Sequence, residues 1–398
     1  MYRLRCLGCG AGYRDDGLRL HCEHEHAPAL LRTEYALTRF TPDEGAKGIM
    51  RYRHWLPVRS QSSYDVPRSA IFQSATLNAH FRTPNLWLAF NGYWPARGAL
   101  LPTGTFKDLE SAAVLARFPR NRTLVVASAG NTAAALARAC SMQQRRAIIV
   151  VPESAAAHLE RRGPFDACVQ IVRAAGTASY DEAIALARQL AGSDEALIFE
   201  GGATNVARRD GIATTLFAAV ETLGAFPEYF VQAIGSGAGA IAAHEAALRL
   251  RGDGRFGARL PKLLLVQNAP SAPVYESWRR RSRALIPYDD DAAARERRIT
   301  SLWAPVLSAQ APPYSVRGGL YDALCESGGD VVVADNAHAQ FGADLFESLE
   351  GARLAPASAV ALAGLMQALQ SGRVARHAAI VLHVTAGGVP IGGAVSAA

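Results

Sequence analysis

The run PTGTFKDLE at residues 102–110, followed by VVASAGNTAAALARA at 125–139 and FVQAIGSGAGAIAAHEA at 230–246, decides how this chain folds. In the second and third stretches an apolar run ends in a small polar or glycine-rich loop that opens an alanine-rich helical pattern. A strand that delivers a loop into a helix is the repeating unit of parallel α/β sheets. The loop N–H groups and the following helix N-terminus attract anions, and small residues allow close approach. By that logic Gly235, Ser236, Gly237, Ala238 and Gly239 suit a phosphate, although a dinucleotide turn would look similar. Ser128, Ala129, Gly130, Asn131 and Thr132 offer hydroxyl, amide and N–H donors to a carboxylate, or else form an ordinary helix cap. Lys107 stands at a helix start, where the local dipole and partial desolvation lower its pKa. The only other lysines in an arginine-rich chain are Lys47 and Lys262. Unlike arginine, a neutral lysine amine can form a Schiff base. An amine and two anion-binding loops together suit an aldehyde cofactor that carries a phosphate.

Outward from these motifs the alternation continues. Apolar runs at Leu86–Phe90, Thr123–Ala127, Ala147–Val151, Gln170–Val172, Ala196–Phe199, Tyr229–Ile234, Lys262–Val266 and Ala379–Val384 read as buried parallel strands. Helical patterns lie between them at Asp108–Ala116, Thr132–Cys140, Tyr180–Leu190, Ile212–Leu223 and Ile241–Leu250. The expected fold is α/β, with two domains of mostly parallel sheets flanked by helices: an N-terminal α/β domain over 36–205 and a C-terminal one over 206–398. Residues 271–318 read as a solvated excursion with one surface helix.

The chain has 398 residues, 49% apolar and 19% charged, enough to bury a large core and too apolar for disorder. Its net charge of +7 comes from scattered arginines, which suits small anionic substrates better than nucleic acid. No apolar stretch is long enough for a membrane, the first twenty residues do not read as a signal peptide, and a cytoplasmic homo-oligomer is expected. Cys6 and Cys9 form a C-x-x-C, and with Cys22 and either His24 or His26 they have ligands for one structural zinc in a ribbon over 1–35. The set expected is Cys6, Cys9, Cys22 and His26, remote from the chemistry; the alternative is a degenerate ribbon whose fold persists without metal. Cys140, Cys168 and Cys325 read as inert core thiols.

The Lys107 run, SAGNT at 128–132, NVARRDG at 205–211 and GSGAGA at 235–240 resemble, in order and spacing, the threonine synthase branch of the fold-type-II pyridoxal phosphate enzymes, whose fold is like the tryptophan synthase β subunit. LLRTEY (30–35), RYRHWLPV (51–58), FNGYWPARGAL (90–100), EGGATNVARRDG (200–211), LRLRGDGRFGARLPKL (248–263), APPYSVRGGLYDAL (311–324) and LFESLEG (345–351) are similar to one sulfonate-forming member. The resemblance implies that Lys107 holds pyridoxal 5'-phosphate, that 235–239 takes its phosphate, that Asn131 bonds its phenolic oxygen and that Thr385 faces its pyridine nitrogen. It further implies a β-replacement in which O-phospho-L-serine and sulfite give L-cysteate and phosphate, feeding coenzyme M formation. Arg97, Thr103, Arg208 and Arg317 are the expected partners of the phosphate or sulfite, because both reactants are anionic. Alternatives are threonine formation from phosphohomoserine, another phosphoserine β-replacement, and a non-catalytic binding protein that carries a zinc ribbon.

Overall fold

A computed structural model of the protein describes residues 1–58, 65–128, 130–174 and 180–389. Two sheets carry the body. The smaller is wholly parallel, with strands Val169–Ala174, Ala147–Pro152, Thr123–Ala127 and Leu197–Phe199 in that spatial order. The larger has six strands, in the order Asp330–Ala334, Lys262–Asn268, Tyr229–Ala233, Ile380–Val384, Leu86–Phe90 and Ala70–Phe72. All its pairs are parallel except the last, where Ala70–Phe72 runs antiparallel along the edge. Runs such as LLLV and LVVA are apolar at successive positions because helices cover both faces.

Every strand expected from the sequence is present. The strand Asp330–Ala334 and the helices Asn336–Glu350 and Pro356–Gln370 were not foreseen. The last of these buries residues on all sides, so no amphipathic period marks it. The stretch 271–318 holds two helices, Pro273–Arg279 and Ala292–Thr300, instead of one, and only the second has no buried residue. Sheet membership also crosses the division expected at 205/206. Strands 70–72 and 86–90 lie before it in sequence yet hydrogen-bond into the sheet of residues 229–384.

Three helices form the layer that positions the site: Lys107–Arg117, Val206–Leu223 and Ala238–Asp253, each packed on the next. Gly211 sets the first contact, since a Cβ there would lie 2.4 Å from the Leu109 carbonyl oxygen. The N-terminal segment is an antiparallel ribbon, Tyr2–Cys6 between Gly12–Tyr13 and Leu31–Tyr35. The arm after it buries Phe40, Tyr52 and Trp55 against Phe217. No helix among the described residues is long and apolar enough to cross a membrane.

Candidate active site

The start of the Lys107 helix is tied to the end of the central strand Ile380–Val384. Phe106 N–H donates to the Thr385 carbonyl at 2.9 Å, Thr105 bridges Ala386, and Gly387 N–H reaches the Gly104 carbonyl at 3.3 Å. Gly104 has φ +67, a conformation that glycine adopts at little cost. The Thr105 hydroxyl accepts from Lys107 N–H at 3.3 Å, closing the first turn. Lys107 therefore projects from a fixed point at the carboxyl end of the larger sheet, where ligands of open α/β sheets bind.

Around its amine the sequence assembles alternating charges. Lys107 Nζ donates to Glu110 Oε2 at 2.9 Å and lies 4.4 Å from the Phe106 ring centroid. Glu110 Oε1 accepts from the Thr132 hydroxyl at 2.7 Å and from Arg208 Nη1 at 3.1 Å. Arg208 in turn forks onto Glu200, with Nε to Oε1 at 3.1 Å and Nη2 to Oε2. All four partners of this cluster beyond Lys107 are buried. Burial presses the Lys107 amine below its ordinary range; Glu110 opposes that shift and Arg208 adds to it. Burial alone would raise Glu110, but Arg208 and Lys107 hold its carboxylate below the usual range. The result is an amine poised toward its neutral, nucleophilic form beside a carboxylate that stays ionised.

Beneath Lys107 lies His383. Its Nδ1 donates to Gln232 Oε1 at 3.0 Å and its Nε2 accepts from Asn91 Nδ2 at 2.8 Å, which makes it neutral with the proton on Nδ1. Burial, with Lys107 nearby, pushes its pKa down to about 3. The ring meets Phe106 edge-on, 5.5 Å between centroids.

The two anion-binding loops face each other across the turn Pro305–Leu307. A Cβ on Gly130 would meet Val306 Cγ1 at 3.7 Å, and one on Gly235 would meet the Val306 carbonyl oxygen at 2.8 Å. Gly237 has φ +73 and gives the helix Ala238–Asp253 no side-chain cap, so the first-turn N–H groups keep their affinity for an anion. Gly239 leaves room for Gln232, whose Nε2 would lie 2.3 Å from a Cβ. Within the loop Ser236 is exposed and its neighbours are buried. An uncapped helix end linked through Gln232 and His383 to the turn of the desolvated Lys107 amine fits a phosphorylated aldehyde.

The expected site residues divide into those gathered here and those placed elsewhere. Lys107, Thr132, Arg208 and Thr385 are gathered, and Thr103 joins them through its hydroxyl, 3.1 Å from that of Thr105. The Ser128 hydroxyl accepts from Gly130 N–H and Ala133 N–H, at 3.3 and 3.2 Å, so it caps the helix Asn131–Gln143 and keeps its own proton to donate. Asn131 Oδ1 accepts from Arg162 Nη1 at 3.1 Å, a cation at this loop that the sequence reading did not anticipate. The Thr385 hydroxyl lies 3.3 Å from that of Ser358. Ala129 falls outside the described residues.

Arg97 and Arg317 lie away from this cluster. Arg97 pairs with Glu350 Oε2 at 3.5 Å and lies over the Phe72 and Trp94 rings, at the far edge of the larger sheet. Arg317 is exposed, and its backbone pairs with Pro28 and Leu30 in the strand-like link behind the ribbon. A basic residue in a motif does not reveal which acid it meets. Glu110, Glu200 and His383 were missed. The only signals were a glutamate one helical turn after Lys107 and another eight residues before Arg208.

In the ribbon, ligand atoms of Cys6, Cys9, Cys22 and His26 lie within 4.8 Å of one another. His26 Nδ1 bonds the Ala27 carbonyl at 2.7 Å, which leaves Nε2 facing Cys6 Sγ at 3.2 Å. That bond to the backbone carbonyl fixes the tautomer a metal-ligating imidazole needs. Three thiols and one imidazole so oriented fit a tetrahedral zinc ion. Of the remaining thiols, Cys140 is buried and raised to about 12 by that burial, whereas Cys325 is exposed, contrary to its reading as a core thiol.

Fold and site together define an enzyme of the pyridoxal-phosphate dependent class, and the family model described as "Pyridoxal-phosphate dependent enzyme" matches residues 80–386. Solved structures agree on the fold: maize serine racemase aligns at TM-score 0.62 and 15% identity over 82% of this chain and 91% of its own. Threonine deaminase isoform 2 from Solanum lycopersicum aligns at TM-score 0.62 and 15% identity over 92% and 95%. The chain belongs to the cysteate synthase family: it is 39% identical to cysteate synthase of Methanosarcina barkeri over 97% of this chain and 92% of that protein. With cysteate synthase of Methanosphaerula palustris it shares 41% identity over 97% and 90%.

Proposed function

We propose that this enzyme converts O-phospho-L-serine and sulfite to L-cysteate and phosphate, with Lys107 as the residue that carries pyridoxal phosphate. The observation that carries the reading is the likeness to cysteate synthases along 97% of the chain, ribbon included, together with the desolvated Lys107 amine. When bound, the cofactor supplies the electron sink for bond changes at Cα and Cβ of the amino acid. Lys107 would hold it, the uncapped loop 235–239 its phosphate, Asn131 its phenolic oxygen, and Thr385 its pyridine nitrogen. A hydroxyl at the last position would leave that nitrogen largely unprotonated.

The chain's own residues account for the rest. Lys107 Nζ, kept toward its neutral form by burial, takes the proton from Cα of phosphoserine and later returns one. Glu110 stays an anion and fixes the direction of that amine. Ser128, Gly130 and Thr132 bind the substrate carboxylate at the helix N-terminus. Arg208, with the Thr103 hydroxyl, receives the leaving phosphate and then the compact sulfite anion. A neutral thiol in the same place would leave those donors unpaired, and that disfavours it as acceptor.

The test is product analysis by mass after mixing the holoenzyme with phosphoserine and sulfite, with phosphoserine and sulfide, and with phosphohomoserine alone. Cysteate from the first mixture, faster than cysteine from the second at equal concentration and with no threonine from the third, is expected. Faster cysteine, or threonine, would remove the sulfonate assignment.

A further inference from the structure

Below the Lys107 site a file of buried polar side chains runs out to the N-terminal ribbon. Arg117, at the other end of the Lys107 helix, is only 2% exposed and binds Asp15 of the ribbon in a bidentate pair, Nε to Oδ2 at 2.9 Å and Nη2 to Oδ1 at 2.7 Å. Its third nitrogen, Nη1, donates to Asn205 Oδ1 at 3.1 Å. Asn205 Nδ2 donates to the Glu200 carbonyl at 2.8 Å and to Glu200 Oε1 at 3.3 Å. The same Glu200 carboxylate holds Arg208. We propose that Asp15 and Arg117 are positioning residues for the substrate's anion site, acting on Arg208 through Asn205 and Glu200, so that the ribbon is part of the active-site framework.

Geometry makes each link restrictive. A bidentate guanidinium–carboxylate pair fixes orientation as well as distance. Because Arg117 makes four such bonds, with the Arg19 carbonyl taking the last at 2.9 Å, it cannot turn without leaving buried donors unpaired. Asn205 is pinned on both ends of its amide and also accepts from Ala207 N–H at 3.0 Å, which caps the helix that carries Arg208. Glu200 therefore has one rotamer that satisfies its partners, and Arg208 follows it. The ribbon holds that helix a second time, through Thr33 and Tyr35 hydroxyls on Asp210 Oδ2 at 2.6 and 2.7 Å. At its other end the ribbon joins the cysteine cluster, since Arg19 lies 4.3 Å from the Tyr13 ring centroid and the Tyr13 hydroxyl is 3.0 Å from Cys22 Sγ.

The inference rests on Arg208 receiving the substrate phosphate, and its test separates the two. In the holoenzyme, Asp15→Asn is expected to raise KM for O-phosphoserine about three- to tenfold with kcat within about twofold, at an unchanged visible cofactor band. Tyr2→Phe removes the 2.6 Å bond from the Tyr2 hydroxyl to Asp15 Oδ2 together with its 3.3 Å bond to the Pro57 carbonyl, and should raise the same KM by a smaller factor. Wild-type KM in both variants overturns the proposal, as does a fall in kcat alone. If Asp15→Asn does not fold, wild-type KM in Tyr2→Phe overturns it by itself. Arg208→Lys is the control: a raised KM there with no effect at Asp15 or Tyr2 refutes the relay alone. An unchanged KM in Arg208→Lys refutes the substrate reading and this inference with it.

Discussion

Glu110 accepts from a lysine, an arginine and a threonine at once, and it is completely buried. Replacing it with glutamine breaks its buried ion pair with Arg208, so Glu110→Gln should cost about 3 kcal/mol of stability, as broken buried ion pairs do. Thermal unfolding of the two proteins side by side measures this, and an equal midpoint would mean the carboxylate is not ionised. Lys107→Arg keeps the positive charge but cannot lose a proton, so turnover and the visible absorbance of the cofactor should both vanish. Borohydride reduction of the wild type should label Lys107, and label on Lys47 or Lys262 would move the assignment. Lys107 was legible in the sequence because lysine is scarce there and a motif surrounds it. Glu110 was not, because an acid in the first turn of a helix is an ordinary complement to the dipole. The surroundings of Arg97 and Arg317 were not legible, because charge is visible in a sequence and its partner is not.

At the scale of elements, the packing of the Arg208 helix on the Lys107 helix depends on Gly211. A methyl group there would press on the Leu109 carbonyl, a backbone atom that cannot turn aside. Gly211→Ala should therefore destabilise the protein by about 1–3 kcal/mol and weaken phosphoserine binding by shifting Arg208. Denaturant midpoints and substrate titrations read both effects; unchanged values would show that the helices separate freely. The ribbon makes its own prediction. About one zinc per chain is expected from its four ligands, and Cys9→Ser should abolish binding and lower the unfolding temperature. The wild type prepared without metal and equally stable would remove the zinc reading. Parallel strands were legible as short apolar runs bounded by loops. The helix Pro356–Gln370 was not, because burial on every side erases the period that betrays a helix.

Across the whole molecule, pH should act through His383. In the folded chain it takes a proton only near pH 3, whereas its ordinary value is 6.5. The unfolded chain therefore binds an extra proton between these limits, and stability falls as pH drops through that window, by at most about 1.4 kcal/mol per unit from this group. His383→Gln, which can still donate to Gln232 and accept from Asn91, should make the dependence between pH 6 and pH 4 shallower, while the buried His244, pushed down to about 4, keeps its own share. Denaturant unfolding at those two values checks it, and an unaltered slope would assign the acid sensitivity to other groups.

The larger sheet holds one more consequence, for the order of events on the ribosome. Ile380–Val384 is inserted between Tyr229–Ala233 and Leu86–Phe90, so two halves of the sheet have no common edge until it is made. A nascent chain that has emerged only to residue 370 exposes two unpaired parallel edges, the kind of surface that recruits other chains. The last strand is thus a clasp. Chains stalled before it should depend on chaperones, and adding a peptide of residues 375–389 in trans should protect them from proteolysis.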